Sequence, residues 1–413
     1  FFVQPGNQLD KEAYERATSV YLVDRVVPML PEKISNFICS LRPDEEKYCF
    51  SAVFEMDDKA KVISEWFGRT IIESNKRFTY ADAEKIIEDG EGELADDVLT
   101  LNTLAQIMRK KRFTAGAISF DRAEVKFKID ENGKPLSVFF REHGKANELI
   151  EEFMLLANRK VAERIGKKLK GGSVRPFVYR IHDKPDIERL TVFSEFVRRF
   201  GYTIKPTTGK SASSAINNLL KQVEGTREQN LIETLAVRSM AKAVYSTNNI
   251  GHYGLAFTHY THFTSPIRRY PDLMVHRLLE KYLVDEKLYD EEQLEKYCQH
   301  CSARETLATQ AERASIKFKQ VEFLSDKIGE EFDGVISLVS DFGFFVELTE
   351  NMVEGMISLR TLDDDFYVFD DDEYCVYGKN SGRQYRLGDS IRIVVERSDL
   401  LKKQLDFKPV LDD

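Results

Sequence analysis

Apolar and polar positions along this chain follow two periods, and the switches between them divide it. Between residues 19 and 73 the period is two. Val20-Tyr21-Leu22-Val23 and Ser51-Ala52-Val53-Phe54-Glu55-Met56 are short β-rich runs separated by proline-bearing and charged turns. The second run alternates well and is followed by Asp57-Asp58, which predicts a hairpin with one buried face. Helical spacing holds at 80–113. A further strand pair is predicted from Ala117-Ile118-Ser119-Phe120 and Ala123-Glu124-Val125-Lys126-Phe127-Lys128-Ile129, turning at Asp130-Glu131-Asn132-Gly133.

From Asn147 to Ile165 the period is helical, with Leu149, Ile150, Phe153, Leu156, Ala157 and Val161 recurring. Glu148 and Glu152 share another face, while Glu151 is rotated about 100° from its neighbour. Residues 187–201, 212–223, 228–245 and 272–285 also read as helices, as does Leu9–Ala17 with Asp10 as its cap. Near residue 328 short strands return in Glu331–Val339, Asp341–Leu348, Val353–Ile357 and Leu387–Val395. Glycine and aspartate turns between them predict a small closed barrel. The fold class is thus mixed α/β: a strand-bearing, largely helical body followed by a β-barrel.

Composition narrows the class. The chain has 413 residues, 42% hydrophobic and 31% charged, with a net charge of -9. That is a globular balance, and the acidity argues against indiscriminate adhesion to nucleic acid while leaving room for a local basic channel. No run is long and apolar enough for a membrane span, and the first residues lack the regions of a signal peptide, so a cytoplasmic protein is expected. The cysteines, Cys39, Cys49, Cys298, Cys301 and Cys375, are odd in number and scattered, which fits no disulfide scaffold. Cys298 and Cys301 have the spacing of half a zinc site without a second half, so helix packing is the expected role.

In the barrel segment, strand alternation puts Phe342 and Phe344 on one face and Phe345 on the other. One set fills the interior and the other, expected to be Phe342 and Phe344 as substrate-binding residues, is free to stack on bases, at about 1–3 kcal/mol per base. Between the strands, Asp363-Asp364-Asp365 and Asp370-Asp371-Asp372-Glu373 form an acidic insertion. Adjacent acids on a strand face opposite ways, so a solvated hairpin is expected rather than a metal site, and its charge directs phosphate elsewhere.

The densest chemical signal is His259-Tyr260-Thr261-His262-Phe263-Thr264-Ser265-Pro266-Ile267-Arg268-Arg269-Tyr270-Pro271-Asp272. Ser265 followed by Pro266 fits a helix cap and first residue, with a break or restart at Pro271. Arginines beside a helix start can hold an anion together with free backbone N–H groups. Adjacent arginines cannot both face one ligand from a regular helix. Arg268 is therefore expected on the substrate, and Arg269, in the same substrate-binding set, also in a packing or ion-pair role. His259 and His262 are expected to serve hydrogen bonding or stacking.

This motif, with Asp10–Tyr21, Pro28-Met29-Leu30-Pro31, Leu41-Arg42-Pro43 and Leu149–Asn158, resembles the catalytic domain of the ribonuclease R / ribonuclease II (RNB) family, and the final segment is similar to that family's S1 barrel, an OB-fold. The resemblance implies an RNB catalytic domain over 1–325 and an S1 RNA-binding domain over 326–413, with the acidic insertion near 361–380. It also implies processive 3′-to-5′ hydrolysis of single-stranded RNA to nucleoside 5′-monophosphates with Mg²⁺, by a monomeric, cytoplasmic parent protein. Residue by residue, Tyr21 and Phe120 match rings that stack on RNA bases, Tyr80 a tyrosine beside the cleaved phosphate, and Glu151 an acid on the terminal ribose. Arg268 matches the arginine on the scissile phosphate, and Glu312 a helical glutamate near the exit side.

The family's metal-binding aspartates lie upstream of the segment matching Phe1, and no such run precedes Leu9. The chain therefore reads as an amino-terminally truncated, carboxyl-terminal part of its parent, with metal binding doubtful, hydrolysis expected to be weak or absent, and association through exposed edges expected. A noncatalytic single-stranded RNA-binding protein is the alternative. A protein-binding role for the barrel is the second rival.

Overall fold

The computed structural model describes residues 1–118, 124–141, 143–167, 174–207, 209–226, 228–284, 290–370 and 375–410. The sequence-expected stacking residue Phe120 and the acids 371–373 lie outside them. The amino end forms α1 (Gln8–Arg16), β1 (Val20–Tyr21) and β2 (Val26–Val27), then the long hairpin β3 (Glu46–Met56) and β4 (Val62–Glu73). Asn7, rather than Asp10, caps α1, its side chain accepting from the Asp10 N–H at 2.8 Å. The Asp10 carboxylate instead accepts from Gly6 N–H, Tyr270 Oη–H and Arg277, tying the start of the chain to a helix far along it.

The expected helical stretch at 80–113 is two helices, α2 (Tyr80–Asp89) and α3 (Ala95–Ala115). They part at Gly90, whose left-handed backbone ends α2. The hairpin turn at 130–133 forms, but its strands are β5 (Glu124–Ile129) and β6 (Pro135–Arg141), not the run beginning at Ala117. Gly133, at φ 81°, makes the turn, and the apolar alternation after it supplies the partner strand.

The body continues with α4 (Lys145–Gly166), β7 (Tyr179–Ile181), α5 (Ile187–Arg198), α6 (Lys210–Val223) and α7 (Gln229–Ser239). It ends with β8 (Val244–Ser246), α8 (Tyr270–Leu283) and the 35-residue α9 (Glu291–Ser325). Its main core joins α1, α4, α8 and α9 through Ala13, Met29, Val161, Phe177, Val275, Leu278, Leu279 and Cys298. Cys301 is buried with Cys298, and burial pushes its thiol up to about 12, so both behave as apolar packing groups. The central residue of that triplet, His300, donates from Nε2 to the Tyr14 carbonyl at 2.8 Å.

The carboxyl-terminal strands are β9 (Glu331–Ser340), β10 (Gly343–Leu348), β11 (Glu354–Ser358), β12 (Tyr367–Asp370), β13 (Cys375–Gly378), β14 (Gln384–Arg386), β15 (Ser390–Asp399) and β16 (Gln404–Pro409). β9, β10, β11, β16 and β15 close into a barrel, and β12–β14 form a separate three-stranded sheet on the insertion. The barrel core, with Ile336, Phe344, Ile393 and Phe407, continues into Val321 and Leu324 of α9, so one helix serves both the body and the barrel. Among the described residues no helix is long and apolar enough to cross a membrane.

Candidate nucleic-acid interface

Proline shapes the arginine motif. Ser265 opens a turn rather than a helix, its carbonyl accepting from Arg268 N–H at 3.2 Å and Arg269 N–H at 3.0 Å. The helix starts only at Tyr270, with Pro271 in its first turn, where a missing N–H leaves no bond unmade. Asp272, fully buried, then turns back to accept from Ser265 N–H at 2.8 Å and from Arg269 Nη2 at 2.9 Å, with Arg269 Nε 2.8 Å from its second oxygen. The carboxylate carried by the first turn of α8 thus holds the turn before the helix, and Arg269 is engaged by it.

Arg268 is left facing solvent. Its carbonyl accepts from Ser19 N–H at 3.0 Å and Thr18 Oγ1 at 3.2 Å, and Tyr270 N–H donates to the Ala17 carbonyl at 2.8 Å. These bonds strap the motif to the segment between α1 and β1. Its guanidinium donates to no group among the described residues. Two residues beyond Ser19, Tyr21 is about half exposed while its N–H donates to Glu312 Oε1 at 2.9 Å, and Val23 N–H donates to Ser315 Oγ at 3.1 Å. Arg268, Tyr21 and Glu312 therefore share one neighbourhood, held together by backbone bonds.

Behind them the histidines are structural. His262 Nδ1 lies 2.8 Å from Tyr245 Oη, and burial holds its imidazole well below the usual range. His259 Nδ1 lies 3.3 Å from Thr258 Oγ1.

Tyr80 and Glu151 stand on a second helical unit, in which α2, α3 and α4 pack around Ile86, Val98, Ala105, Ala146 and Leu149. Tyr80 opens α2 directly after Thr79, whose capping box with Asp82 fixes that end of the helix, and its ring is exposed. Glu151 is half exposed on α4. Arg112 Nη2 reaches its Oε1 at 3.1 Å and Arg109 Nη1 lies 3.7 Å from its Oε2. Arg112 also binds Glu152 at 2.5 Å, a carboxyl that burial pushes upward against the pull of that arginine. The arginines are residues that sequence reasoning missed. Their only linear trace is the i, i+3 spacing of Arg109 and Arg112 opposite the Glu148, Glu151, Glu152 cluster. α4 joins the two units, because Asn158 farther along it donates to Tyr260 Oη and accepts from Phe263 N–H at the head of the arginine motif.

On the barrel, Phe342 and Phe344 part company. Phe342 lies in the turn between β9 and β10 and is 57% exposed. Phe344 is in β10 with 0% exposure, stacked on Tyr385 at 4.7 Å. The expectation that Phe344 meets bases is corrected: its ring fills the closed barrel, and the alternation that paired it with Phe342 fails because Phe342 precedes the strand. Gly343 between them adopts φ 156°, and a Cβ there would sit 2.3 Å from the Ile357 carbonyl oxygen. In the insertion, Asp365 accepts from the N–H groups of Phe366, Asn380 and Ser381, which holds its carboxyl far below the usual range. A cleft of about 1400 Å³ opens between α5, α7 and the barrel, lined in part by Arg189, Arg238, Lys317 and Leu338. None of the sequence-expected residues is in its wall.

Comparison with known proteins then decides the family. The model for the RNB domain matches residues 1–285, and that for the S1 RNA binding domain matches residues 325–408. The chain belongs to the RNB family. Ribonuclease R 1 of Lactococcus lactis is 38% identical over 418 residues, covering 98% of this chain and 50% of the relative. Ribonuclease R of Thermotoga maritima is 38% identical over 425 residues, covering 100% and 59%. The chain thus spans about half to three fifths of these relatives. The structure of Mycoplasma genitalium RNase R in complex with ribose methylated single-stranded RNA superposes with a TM-score of 0.90 at 29% identity, covering 99% of this chain and 65% of that one.

RNB nucleases are generally dependent on divalent metal. Among the described residues, no three histidine, cysteine, aspartate or glutamate side chains come together as a metal site. The described residues therefore offer no fit to such an ion.

Proposed function

We propose that this chain holds and orients single-stranded RNA for a ribonuclease R-type 3′-to-5′ exoribonuclease that releases nucleoside 5′-monophosphates. The observation that carries the reading is the solvent-facing Arg268 guanidinium, fixed by its backbone beside Tyr21 and Glu312. Arg268 binds the phosphate next to the terminal linkage, where its planar fork donates to two oxygens at once. Tyr21 stacks on a base, an interaction tolerant of base identity and so compatible with stepwise degradation. Tyr80 lies along the same strand, Glu151 accepts from the terminal ribose hydroxyl, which DNA lacks, and Phe342 offers a further stacking surface on the S1 barrel. Glu312 positions the Tyr21 backbone.

A second reading, a noncatalytic single-stranded RNA-binding protein, is favoured by the poor fit of the described residues to a metal ion. One experiment separates the two. A single strand labelled at its 5′ end is incubated with the chain and Mg²⁺, and both retention and length are followed. Shortening one nucleotide at a time from the 3′ end supports the enzyme. Retention at full length even by the chain extended to the length of its relatives supports the second reading, and neither retention nor shortening overturns both.

A further inference from the structure

We infer that Arg112, assisted by Arg109, is the positioning residue that makes Glu151 a ribose sensor. This deepens the proposed function and rests on its assignment of Glu151 to the terminal ribose. A carboxylate on a helix surface is a poor discriminator when it turns freely, because several rotamers must be given up to accept one hydroxyl. Glu151 is not in that state. Arg112 is almost completely buried between α3 and α4 and spans two carboxylates. Its Nε and Nη2 reach Glu152 Oε1 at 3.0 and 2.5 Å, and the same Nη2 reaches Glu151 Oε1 at 3.1 Å. Arg109 is fixed from the other side by Glu148 at 3.0 Å, and Glu148 in turn accepts from Gln106 Nε2 at 2.8 Å. From there Arg109 faces the second Glu151 oxygen at 3.7 Å. Both guanidiniums also lie against the Phe113 ring, at 4.8 and 4.9 Å from its centre.

The burial pattern assigns the roles. Glu152 is sunk into the helix pair and anchors Arg112, while Glu151, next in the chain but rotated outward, keeps about half its side chain in solvent. The Arg112 hydrogen bond holds Glu151 Oε1 and the longer Arg109 ion pair attracts Oε2, and each oxygen retains lone-pair capacity for an incoming donor. The ribose 2′-hydroxyl, a neutral donor small enough to approach an already positioned carboxylate, suits that remaining capacity. A phosphate does not, since it would meet the Glu151 charge first.

The test is the ratio of affinities for short labelled strands ending in ribose or in 2′-deoxyribose, measured with the intact chain. Loss of a hydrogen bond to a charged acceptor is worth about tenfold, so Glu151→Gln is expected to lower the ratio by about that factor. Arg112→Lys keeps a buried positive charge for Glu152 but cannot span both carboxylates. It is expected to lower the ratio severalfold while leaving affinity for the deoxyribose strand unchanged, and to add nothing in the Glu151→Gln background. A merely structural arginine would weaken both strands alike. Arg109→Gln, which leaves the Arg112–Glu152 pair intact, is the second variant and carries the same prediction with a smaller drop. An unchanged ratio in both arginine variants, with a collapsed ratio in Glu151→Gln, overturns this inference alone. An unchanged ratio in Glu151→Gln overturns the ribose assignment beneath it.

Discussion

At the scale of single residues, Phe342 and Phe344 give opposed expectations from neighbouring, chemically identical side chains. Phe342→Ala removes an exposed ring and is expected to weaken single-stranded RNA binding by about 1–3 kcal/mol with the unfolding midpoint unchanged. Phe344→Ala empties part of the barrel core and is expected to destabilise the chain by about 3–5 kcal/mol. Calorimetric unfolding and RNA titration of both variants check the pair, and equal effects of the two on either measurement would contradict the assignment. Arg268→Ala is expected to reduce affinity for every base sequence and to flatten the slope of log affinity against log salt by about 0.7, the contribution of one phosphate on a single strand. The sequence motif made Arg268 stand out, but it could not supply the fully buried Asp272 as the group that engages Arg269, because that geometry depends on the turn imposed by Ser265 and Pro271.

At the scale of elements, the segment from β7 to α8 contains a run of buried imidazoles. His182 and His252 have ring centres 5.0 Å apart, and His252 lies 5.3 Å from the Tyr260 ring. Burial, with the nearby charges of His182 and Arg180, pushes the His252 imidazole down to about 3. An unfolded histidine takes its proton near 6.5, so between about pH 6.5 and 3 the unfolded chain binds protons that the folded chain refuses. Stability is therefore present above that window and lost as pH falls through it. Thermal unfolding followed from neutral to acid pH should show a falling midpoint, and a midpoint that holds or rises would count against the buried neutral state.

The elements also show what was legible in the chain. α4 was readable because its apolar positions recur over five turns and agree with one face. The partner of β5 was not, because Ala117-Ile118 offered a preceding apolar run and the competing choice, Pro135–Arg141, begins with a proline that demotes a strand in sequence reading. The Arg112 clamp crosses 40 positions between helices, and no local period records a contact of that range.

At the scale of the whole molecule, α9 sets the arrangement. Along one continuous helix it contributes Cys298 to the body core, Glu312 to the Tyr21 backbone, Lys317 Nζ to the Glu354 carbonyl at 2.6 Å, and Leu324 to the barrel core. The two family-matched segments are thereby braced on a shared rod. With a net charge of -9, the proposed RNA binding cannot come from the chain's overall charge and has to come from local cationic and aromatic groups. The direct measurement is binding of labelled single-stranded RNA to the intact chain across a range of salt. Phosphate gripping predicts a linear, steep fall of log affinity with log salt, and the slope should shrink when Arg268 is replaced. Weak binding that does not respond to salt would contradict the account.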